Sequence, residues 1–462
     1  MYSRNRARRP FSAASAALGL LLVGVAATPA HAESVRDRQW HLDAMHADEM
    51  WQVSTGRGIT VAVIDSGVDD TVADLTGQVL AGKDFSDQQG DEHTDIDNHG
   101  TGMAALIAAT GERGYLHGSH GLAPGSKILP VRMRYSTEDY GQVDSRAQYA
   151  HVLSEAIRYT AHSEARIINI SMGVANTPGR QNAGTPELAS AVRYAIAKGK
   201  LIFAAVGNTG DKDNSMLFPA ATPGVVGVAA TDKNGRSLQQ SQKGPQVDLA
   251  APGDGIINAC TGGTQLCTGS GTSAASALAS ASAALIWAQH PDWTNHQVLR
   301  VLLNTAGKPK SGANRTDSIG YGIVRPRIAL KTPGNLGPAD EYPMADLAAA
   351  ASQGPPNEAS PSAGLGGDRT AIVKPKPTST ASVEGDGVDS SWLALGMAAA
   401  ALLTAAVTIP TLRARRRRSA SVRVDPAPPP LTPPYQSHTY SPSLGHGSSS
   451  SPASGSEQSQ RP

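Results

Sequence analysis

Six short apolar segments recur between Trp40 and about Leu330, and amphipathic stretches separate them. The apolar segments are Ile59–Asp65, Lys127–Met133, Arg166–Ser171, Leu201–Val206, Val225–Ala230 and Val247–Ala250. Most are too apolar for a sheet with one wet face, so they predict a mostly parallel sheet covered by helices on both faces. The predicted helices are His99–Thr110, Ser145–His162, Pro186–Lys198, Thr272–His290 and Asn295–Ala306. We therefore expect one α/β domain over residues 33–331.

The first 32 residues have the features of a signal peptide. A basic start that ends at Arg9 precedes an apolar run over residues 13–27, and the small-residue site Ala30-His31-Ala32 follows. An N-terminal membrane anchor is the alternative, but the apolar run falls short of the roughly 20 residues that a span needs. We expect export of the chain and cleavage after Ala32.

A second apolar segment, residues 392–412, contains no charged residue and is long enough to cross a bilayer. Five arginines lie between positions 413 and 418. The positive-inside rule places the basic, then Ser/Pro-rich tail 413–462 in the cytoplasm and the preceding domain outside the cell membrane. A nucleic-acid patch is the alternative for the arginines. The net charge of +1 provides no global field for nucleic acid, so we expect no such partner.

Residues 332–391 are rich in Pro, Gly, Ala and Ser and carry only scattered charges. Such a composition buries too little apolar surface to fold alone, so we predict a disordered linker between the domain and the membrane span. The chain has only two cysteines, Cys260 and Cys267, in the part expected outside the cell. A disulfide is predicted there, and a free buried pair is the alternative.

Three residues with reactive side chains fall where open α/β folds place their sites. Asp65 ends the first apolar segment, so its carboxylate is expected at the carboxyl edge of the sheet. His99 begins a helix of small residues, which leaves its ring accessible. Ser273 follows a glycine-rich turn and opens an alanine-rich helix, whose N-terminus favours an oxyanion. Taken singly, each has a structural alternative: a turn-capping Asp, a structural His and a serine N-cap.

Asn208 follows another apolar segment, next to Gly207. Its amide suits the role of an oxyanion donor, although a turn asparagine in a left-handed conformation is the alternative. A serine peptidase needs a hydroxyl, a base, a group that orients the base, and donors for the oxyanion. Ser273, His99, Asp65 and Asn208 supply one of each, and the backbone N–H of Ser273 adds a second donor. Their joint placement predicts peptide hydrolysis.

These segments resemble the subtilisin-like serine peptidase family. The matching segments, in the order found in the family, are Val61–Gly67, His99–Thr101, Gly207–Asn208 and Gly271–Ser273. The resemblance covers about Trp40 to Leu330 and implies a subtilisin-like three-layer fold. It also implies that Asp65, His99 and Ser273 form the triad and that Asn208 and Ser273 form the oxyanion hole. Ser171, Met172 and Gly173 correspond to the segment that pairs with extended substrate and borders the specificity pocket.

Some positions depart from the commonest family pattern. Gly102–Ala105 replaces His-Val-Ala-Gly, and Ala277 replaces the usual proline after the serine. Neither concerns a triad atom. Only about 26 residues separate Ala32 from Ile59, so we expect no folded pro-domain. The signal, the linker and the single C-terminal span resemble the mycosins, which are subtilisin-like proteases associated with type VII secretion in actinobacteria.

We therefore expect a membrane-anchored, extracytoplasmic serine endopeptidase that acts on protein or peptide substrates and associates with a type VII secretion membrane complex. A scaffold subunit with dispensable catalysis is the alternative. An esterase is disfavoured because no Gly-x-Ser-x-Gly elbow surrounds Ser273. No cofactor is expected. Calcium is common in the resembled family, but solvated loop charges are the favoured interpretation of Asp91–Glu92 and Asp95–Asp97, so no metal site is predicted.

Overall fold

The computed structural model describes residues 33–135, 146–176 and 183–352, which belong to one compact unit. Its strands are β1 (Thr60–Asp65), β2 (Lys83–Asp84), β3 (Lys127–Arg132), β4 (Ile167–Ile170), β5 (Val174–Ala175), β6 (Leu201–Ala205), β7 (Leu217–Phe218), β8 (Val226–Thr231), β9 (Leu249–Pro252), β10 (Ile256–Ala259) and β11 (Leu266–Gly269). Its α-helices are α1 (Val35–Arg38), α2 (Trp40–Met45), α3 (Ala47–Trp51), α4 (His99–Ala108), α5 (Arg146–His162), α6 (Pro186–Ala197), α7 (Thr272–Gln289), α8 (Asn295–Thr305), α9 (Pro326–Lys331) and α10 (Ala345–Ser352).

The central sheet has seven strands in the order β2-β3-β1-β4-β6-β8-β9, and every adjacent pair is parallel. The chain proceeds from β1 to β2 and β3 on one side and then crosses to β4 on the other side. The strand order therefore reverses at β1. In open α/β sheets, ligands bind at such a reversal, beyond the carboxyl ends of the strands. The carboxyl end of β1 is Asp65.

The six predicted apolar segments are confirmed as β1, β3, β4, β6, β8 and β9, with β9 displaced two residues toward the C-terminus. Successive side chains of a strand point to opposite faces of the sheet. Accordingly, Val61 and Val63 pack into a core that includes α4, α7 and α8. Ala62 and Ile64 pack into a second core with α5 and α6. Both faces of the sheet are covered, which confirms the predicted three-layer α/β architecture.

The five predicted helices are present as α4 to α8. Their starts follow ordinary capping chemistry. The Thr185 hydroxyl accepts a hydrogen bond from the N–H of Leu188, and Pro186 occupies the first turn of α6. Thr294 forms a capping box with Gln297 at the start of α8. α7 is rich in Ala and Ser and is almost wholly buried, which lets it pack closely against the sheet.

Three short helices, α1 to α3, precede the first strand and were not predicted. Gln39 holds them to the domain: its side-chain amide donates to the carbonyls of His120 (2.9 Å) and Ile257 (3.2 Å), and its Oε1 accepts from the N–H of His120 (2.9 Å). Ser54 donates to the carbonyl of Leu285 in α7 at 2.7 Å. Residues 33–54 therefore belong to the folded domain.

The predicted start of the linker at Thr332 is wrong. Arg300 of α8 donates hydrogen bonds to the carbonyls of Leu336, Pro338 and Glu341. Tyr342 donates to the carbonyl of Gly224 at 2.7 Å, and Met344 is only 3% exposed. Isolated side chains that fill grooves of a finished domain produce no apolar periodicity, so the composition of this stretch conceals their packing. The folded chain continues through α10.

Several predicted segments lie outside the described residues: the signal peptide 1–32, the linker from 353 to 391, the span 392–412 and the tail 413–462. Among the helices that the structure describes, none combines the length and apolar character needed to cross a bilayer.

Candidate active site

Asp65 and His99 form a close hydrogen-bonded pair at the carboxyl edge of the sheet. The Nδ1 atom of His99 lies 2.7 Å from Oδ1 of Asp65. The Asp65 side chain is fully buried, whereas 20% of the His99 side chain is exposed. An ionised carboxylate only accepts hydrogen bonds, so Nδ1 carries the proton and Nε2 is the basic nitrogen of the neutral ring. This arrangement leaves a base whose tautomer is fixed and whose ring reaches solvent.

The position of His99 depends on a close approach between α4 and the end of β1. Asn98, just before the helix, is left-handed with φ of 61°. A Cβ atom on Gly100 would lie 2.1 Å from the carbonyl oxygen of Gly67 and 3.1 Å from the Cβ of Asp65. Only glycine fits at this position. The helix can therefore begin directly against the carboxylate.

A second carboxylate, Asp95, is bonded to Ser66, the residue after Asp65, and is only 9% exposed. Its Oδ1 accepts from the hydroxyl of Ser66 at 2.8 Å, and its Oδ2 accepts from the N–H of Thr101 at 2.7 Å. Burial raises its pKa, with a further rise from the charge of Asp65, while the hydrogen bonds from Thr101 and Ser66 act in the opposite direction. The interpretation of Asp95 as a solvated loop charge is wrong.

The pKa of His99 reflects two opposing influences. Burial alone would lower it, because the low-polarity surroundings disfavour the imidazolium. The charge of Asp65 and its hydrogen bond oppose that effect, and the charges of Asp95 and Asp97 add to them. The outcome is a pKa above the ordinary value for histidine. The site thus stabilises the protonated ring that forms when a base takes a proton from a hydroxyl.

Ser273 lies in the first turn of α7 and is joined to Ser171 by two reciprocal hydrogen bonds. The Ser273 hydroxyl donates to the carbonyl of Ser171 at 3.0 Å, and the Ser171 hydroxyl donates to the carbonyl of Ser273 at 3.1 Å. Asn169 in β4 supports this connection by donating to the Ser171 hydroxyl at 2.9 Å, while its Oδ1 accepts from Ser276 and Ser280 of α7. The start of α7 is thereby held at the end of β4.

Asn208 follows β6, and its side-chain amide has a defined orientation. Its Oδ1 accepts hydrogen bonds from the N–H of Thr272 at 2.9 Å and from the Thr272 hydroxyl at 3.2 Å. A backbone N–H is a donor, so the atom facing it must be the oxygen of the amide. The amide nitrogen is then the donor that remains, and Asn208 is solvent-exposed.

Two cavities meet at these residues, and Ser273, Asn208 and Tyr135 line both. One, of about 270 Å³, also contacts the three residues Ser171, Met172 and Gly173. The other, of similar volume, contacts His99 and Met103. The structure thus brings His99, Ser273, Asn208 and the segment Ser171–Gly173 to the walls of these cavities, with Asp65 buried behind His99.

The cysteines belong to a hairpin that contributes to the wall of the second cavity. Cys260 and Cys267 form a disulfide that closes the end of the β10–β11 hairpin. Ile256, Asn258 and Gly269 of this hairpin line the cavity that contains His99. Within the described ranges, no three His, Cys, Asp or Glu side chains are grouped so that they could hold a metal ion.

Four residues of this site were not identified from the sequence: Asp95, Tyr135, Asn169 and Thr272. Asp95 lies in the loop before His99, and its contacts with Ser66 and Thr101 depend on how that loop folds against the end of β1. Asn169 is a polar residue inside an apolar strand, and such a residue needs buried hydrogen-bond partners. Tyr135 and Thr272 carry no comparable signal, because their roles depend on the distance between separate segments.

Comparison with known proteins identifies the relatives of this domain. A model of the Subtilase family matches residues 56–322. The thermophilic serine proteinase of Bacillus sp. (strain AK1) is 36% identical over 264 residues, which are 57% of this chain and 60% of that protein. The chain thus spans less than two thirds of the length of this curated relative.

Two solved structures are also similar. One is a serine protease, MycP1, described as an essential component of the type VII (ESX-1) secretion system. It is 29% identical, has a TM-score of 0.57, and the match covers 66% of this chain and 90% of that one. The other is an intact ESX-5 inner membrane complex, with 26% identity, a TM-score of 0.57, and coverage of 81% of this chain and 90% of the matched chain.

Proposed function

The chain belongs to the Subtilase family, and we propose that it is a serine endopeptidase that hydrolyses peptide bonds in protein or peptide substrates. One observation carries the proposal. The buried Asp65 carboxylate lies 2.7 Å from Nδ1 of His99, and the His99 ring lines the same cavity as Ser273. A hydroxyl, a base with a fixed tautomer and a buried carboxylate are the parts of a nucleophilic triad.

In the proposed reaction, the Ser273 hydroxyl leaves the carbonyl of Ser171 and turns to Nε2 of His99. Its oxygen attacks the substrate carbonyl while His99 takes the proton, and His99 then returns that proton to the leaving amine. Asp65 stays ionised and stabilises the imidazolium. The raised pKa of His99 supports this role, because it means that the site favours the protonated ring. Water repeats the sequence to release the acyl group.

Asn208 and the backbone N–H of Ser273 are the proposed oxyanion donors. The oxygen of the Asn208 amide is turned to Thr272, which leaves its nitrogen available to the cleft. Ser273 is in the first turn of α7, where backbone N–H groups have no partner within the helix. Donors held in this way are already oriented before charge develops on the substrate oxygen, so they need no reorganisation during the reaction.

Ser171, Met172 and Gly173 are the proposed substrate-binding segment. They follow β4 at the carboxyl edge of the sheet and border one of the two cavities at Ser273. A substrate strand laid along this segment would place a side chain in that cavity and its carbonyl carbon near the serine. If the substrate backbone pairs with this segment as an added strand, the site recognises extended polypeptides rather than folded surfaces.

We further propose that the enzyme is anchored in the cell membrane by residues 392–412, that its catalytic domain is extracytoplasmic, and that it associates with a type VII secretion complex. The signal-like N-terminus and the arginines after position 412 support this topology. The similarity to MycP1 and to a chain of the ESX-5 inner membrane complex supports the association. A scaffold role with dispensable catalysis is the second candidate, favoured by the same ESX-5 match.

Labelling with a fluorophosphonate probe tests the chemistry. Membrane fractions that contain the wild-type chain should be labelled, and Ser273→Ala should not. Ser270→Ala is the matched control, since this nearby exposed serine bonds to Asp254 and lies outside the triad. Equal labelling of wild type and Ser273→Ala would refute the assignment. Full rescue of secretion by Ser273→Ala, in cells that lack the chain, would instead favour the scaffold role.

A further inference from the structure

Another cavity lies where three separate segments meet around Ile323. Gly307, just after α8, exchanges two backbone hydrogen bonds with Ile323, at 2.7 and 3.1 Å. Gly235, in the turn between β8 and β9, lies so close that a Cβ atom on it would be 3.1 Å from Cδ1 of Ile323. The cavity has a volume of about 610 Å³, more than twice that of either cavity at Ser273, and it shares no lining residue with them.

The wall of this cavity is strongly basic. The three segments contribute four basic residues to it: Arg236, Lys308, Lys310 and Arg325. Among the described residues that line it, none is acidic. The acidic residues nearest in the chain already have partners. Asp317 forms an ion pair with Arg315 at 3.3 Å, and Asp232 accepts hydrogen bonds from the backbone N–H groups of Asn234 and Arg236. The cavity is therefore a concave region of positive potential.

The end of α8 fixes two of these cations. Nζ of Lys308 donates to the carbonyl of Leu303 at 3.0 Å, and the Arg325 guanidinium donates to the carbonyls of Thr305 and Ala306. A lysine ammonium and an arginine guanidinium have more N–H donors than these bonds use. Partial burial lowers the pKa of Lys308, and the charge of Arg325 lowers it further, so the two like charges act on each other.

The other two cations, Arg236 and Lys310, have no such role. Both are exposed, and neither side chain forms a hydrogen bond or an ion pair with a residue in the described part of the chain. Helix capping therefore accounts for Lys308 and Arg325 but not for this pair. Like charges gathered around one cavity repel one another, and a bound anion would turn that repulsion into attraction.

The remaining wall indicates which kind of anion fits. Ile319 and Ile323 add apolar surface, and four side chains add hydroxyl groups: Ser237, Ser311, Thr316 and Ser318. Phosphate oxygens accept charge-assisted hydrogen bonds from Arg and Lys. The volume is in the range of small-molecule sites, about 300–1,000 Å³, so it has room for more than a single phosphate ion. A phosphate that carries a short polyol would use the cations, the hydroxyls and the apolar surface together.

From this arrangement we propose that the basic cavity is a binding site for a phosphorylated polyol such as glycerol phosphate. This group occurs as a free metabolite and as the headgroup of an anionic phospholipid, and the cavity has the chemistry to recognise either. An acidic polypeptide fits less well, because its carboxylates are spread along an extended chain whereas the four cations surround one concavity. Binding here does not depend on the proposed peptidase function, because the cavity has its own residues.

Isothermal titration calorimetry on the full-length, detergent-solubilised chain tests the proposal, with glycerol 3-phosphate as the probe. Wild type should bind it and should not bind glycerol, the uncharged control. Arg236→Gln/Lys310→Gln removes the two cations that form no bonds in the fold and should weaken the affinity at least about tenfold, because hydrogen bonds to charged groups are the stronger ones. Lys233→Gln/Lys331→Gln is the matched control. It removes two exposed lysines outside the cavity and should bind like wild type.

Nanodiscs that contain the full-length chain separate the two sources of the ligand. If phospholipid headgroups enter the cavity, discs with phosphatidylglycerol should weaken the affinity for free glycerol 3-phosphate several-fold relative to discs with phosphatidylserine, which carries the same net charge. Equal affinity in the two kinds of disc assigns the site to a soluble phosphate.

Three results would overturn the inference. Wild type shows no binding of glycerol 3-phosphate, or the two double variants lose affinity equally, which means that only the net charge of the domain matters. The third is binding of an oligoglutamate peptide that glycerol 3-phosphate does not displace, which assigns the cavity to an acidic polypeptide. Circular dichroism of each variant confirms that the domain is folded, so that a loss of binding reports on the cavity.

Discussion

The carboxylate of Asp95 accepts two hydrogen bonds from Thr101, one from the backbone amide at 2.7 Å and one from the hydroxyl at 2.6 Å. Its other oxygen accepts from the Ser66 hydroxyl, next to Asp65. Asp95 therefore joins the first turn of α4 to the residue after β1. These two elements carry His99 and Asp65, so Asp95 is a positioning residue for the pair.

Asp95→Asn should move the acidic limb of the activity profile to lower pH. The negative charge of Asp95 contributes to the raised pKa of His99, less than the charge and the hydrogen bond of Asp65 do. Removing that charge lowers the pKa, so His99 loses its proton and becomes a base at a lower pH. The measurement is kcat/KM for a peptide as a function of pH. Asp43→Asn, an exposed residue paired with Arg36, is the control and should leave the limb in place. An unmoved or upward-shifted limb for Asp95→Asn would contradict this account.

Asn208→Ala should reduce kcat and leave KM nearly unchanged. Its amide nitrogen would bind the oxyanion more strongly than the ground-state carbonyl, and loss of one such donor costs about a hundred- to a thousandfold in kcat. Steady-state kinetics on one peptide measure the effect. Thr272→Val serves as a comparison, because the backbone N–H of residue 272 still orients Asn208. The reduction in kcat for this variant should therefore be much smaller. A rise in KM at constant kcat would assign Asn208 to substrate binding instead.

Met344→Ala should destabilise the domain by about 2 to 5 kcal/mol, the usual cost of truncating a buried methionine. Met344 is 3% exposed and packs into the core that includes α7 and α8. Urea unfolding of the full-length chain, followed by tryptophan fluorescence, measures the change. Glu341→Ala is the control, since that side chain is exposed and only its backbone carbonyl bonds to Arg300. If both variants unfold like wild type, residues 332–344 form no part of the core.

His41 should make the domain less stable in acid. It is fully buried, neither ring nitrogen has a hydrogen-bond partner, and burial lowers its pKa to about 3. In the unfolded chain His41 takes up a proton near pH 6.5, whereas in the folded chain it stays neutral until about pH 3. The free energy of unfolding therefore falls as the pH decreases from about 6.5 towards 3.

The test of this pH dependence compares His41→Leu with wild type by urea unfolding at neutral pH and at about pH 4.5. The variant should lose less stability between the two conditions. His117→Gln replaces an exposed histidine and should behave like wild type. Equal losses for wild type and His41→Leu would show that the buried ring does not account for the acid sensitivity.

The sheet and its main helices could be predicted because their signals are local. A buried parallel strand such as β1 is a continuous apolar run, and α6 and α8 begin with threonine caps that the sequence displays. The similarity to mycosins is likewise confirmed by the comparison with known structures. The roles of Asp65, His99, Ser273 and Asn208 stay predictions until the variants are measured.

The remainder could not be predicted because it depends on distances between remote segments. Nothing near Asp95 in the chain shows that Ser66 and Thr101 surround its carboxylate. The ring of Tyr135 reaches His99 only because β3 pairs with β1. Residues 332–344 have the composition of a linker, yet Tyr342 and Met344 find their contacts on a domain that other segments have already built.

The two hydrogen bonds between Ser171 and Ser273 join residues 102 positions apart, whereas Asp65 and His99 are 34 positions apart. A chain is made from its N-terminus, and its domains take shape in that order. The base and its carboxylate are therefore synthesised long before the helix that supplies the hydroxyl. Because α7 also packs in the same core as the helix that begins at His99, neither that core nor the proposed set of site residues is complete until α7 has been made.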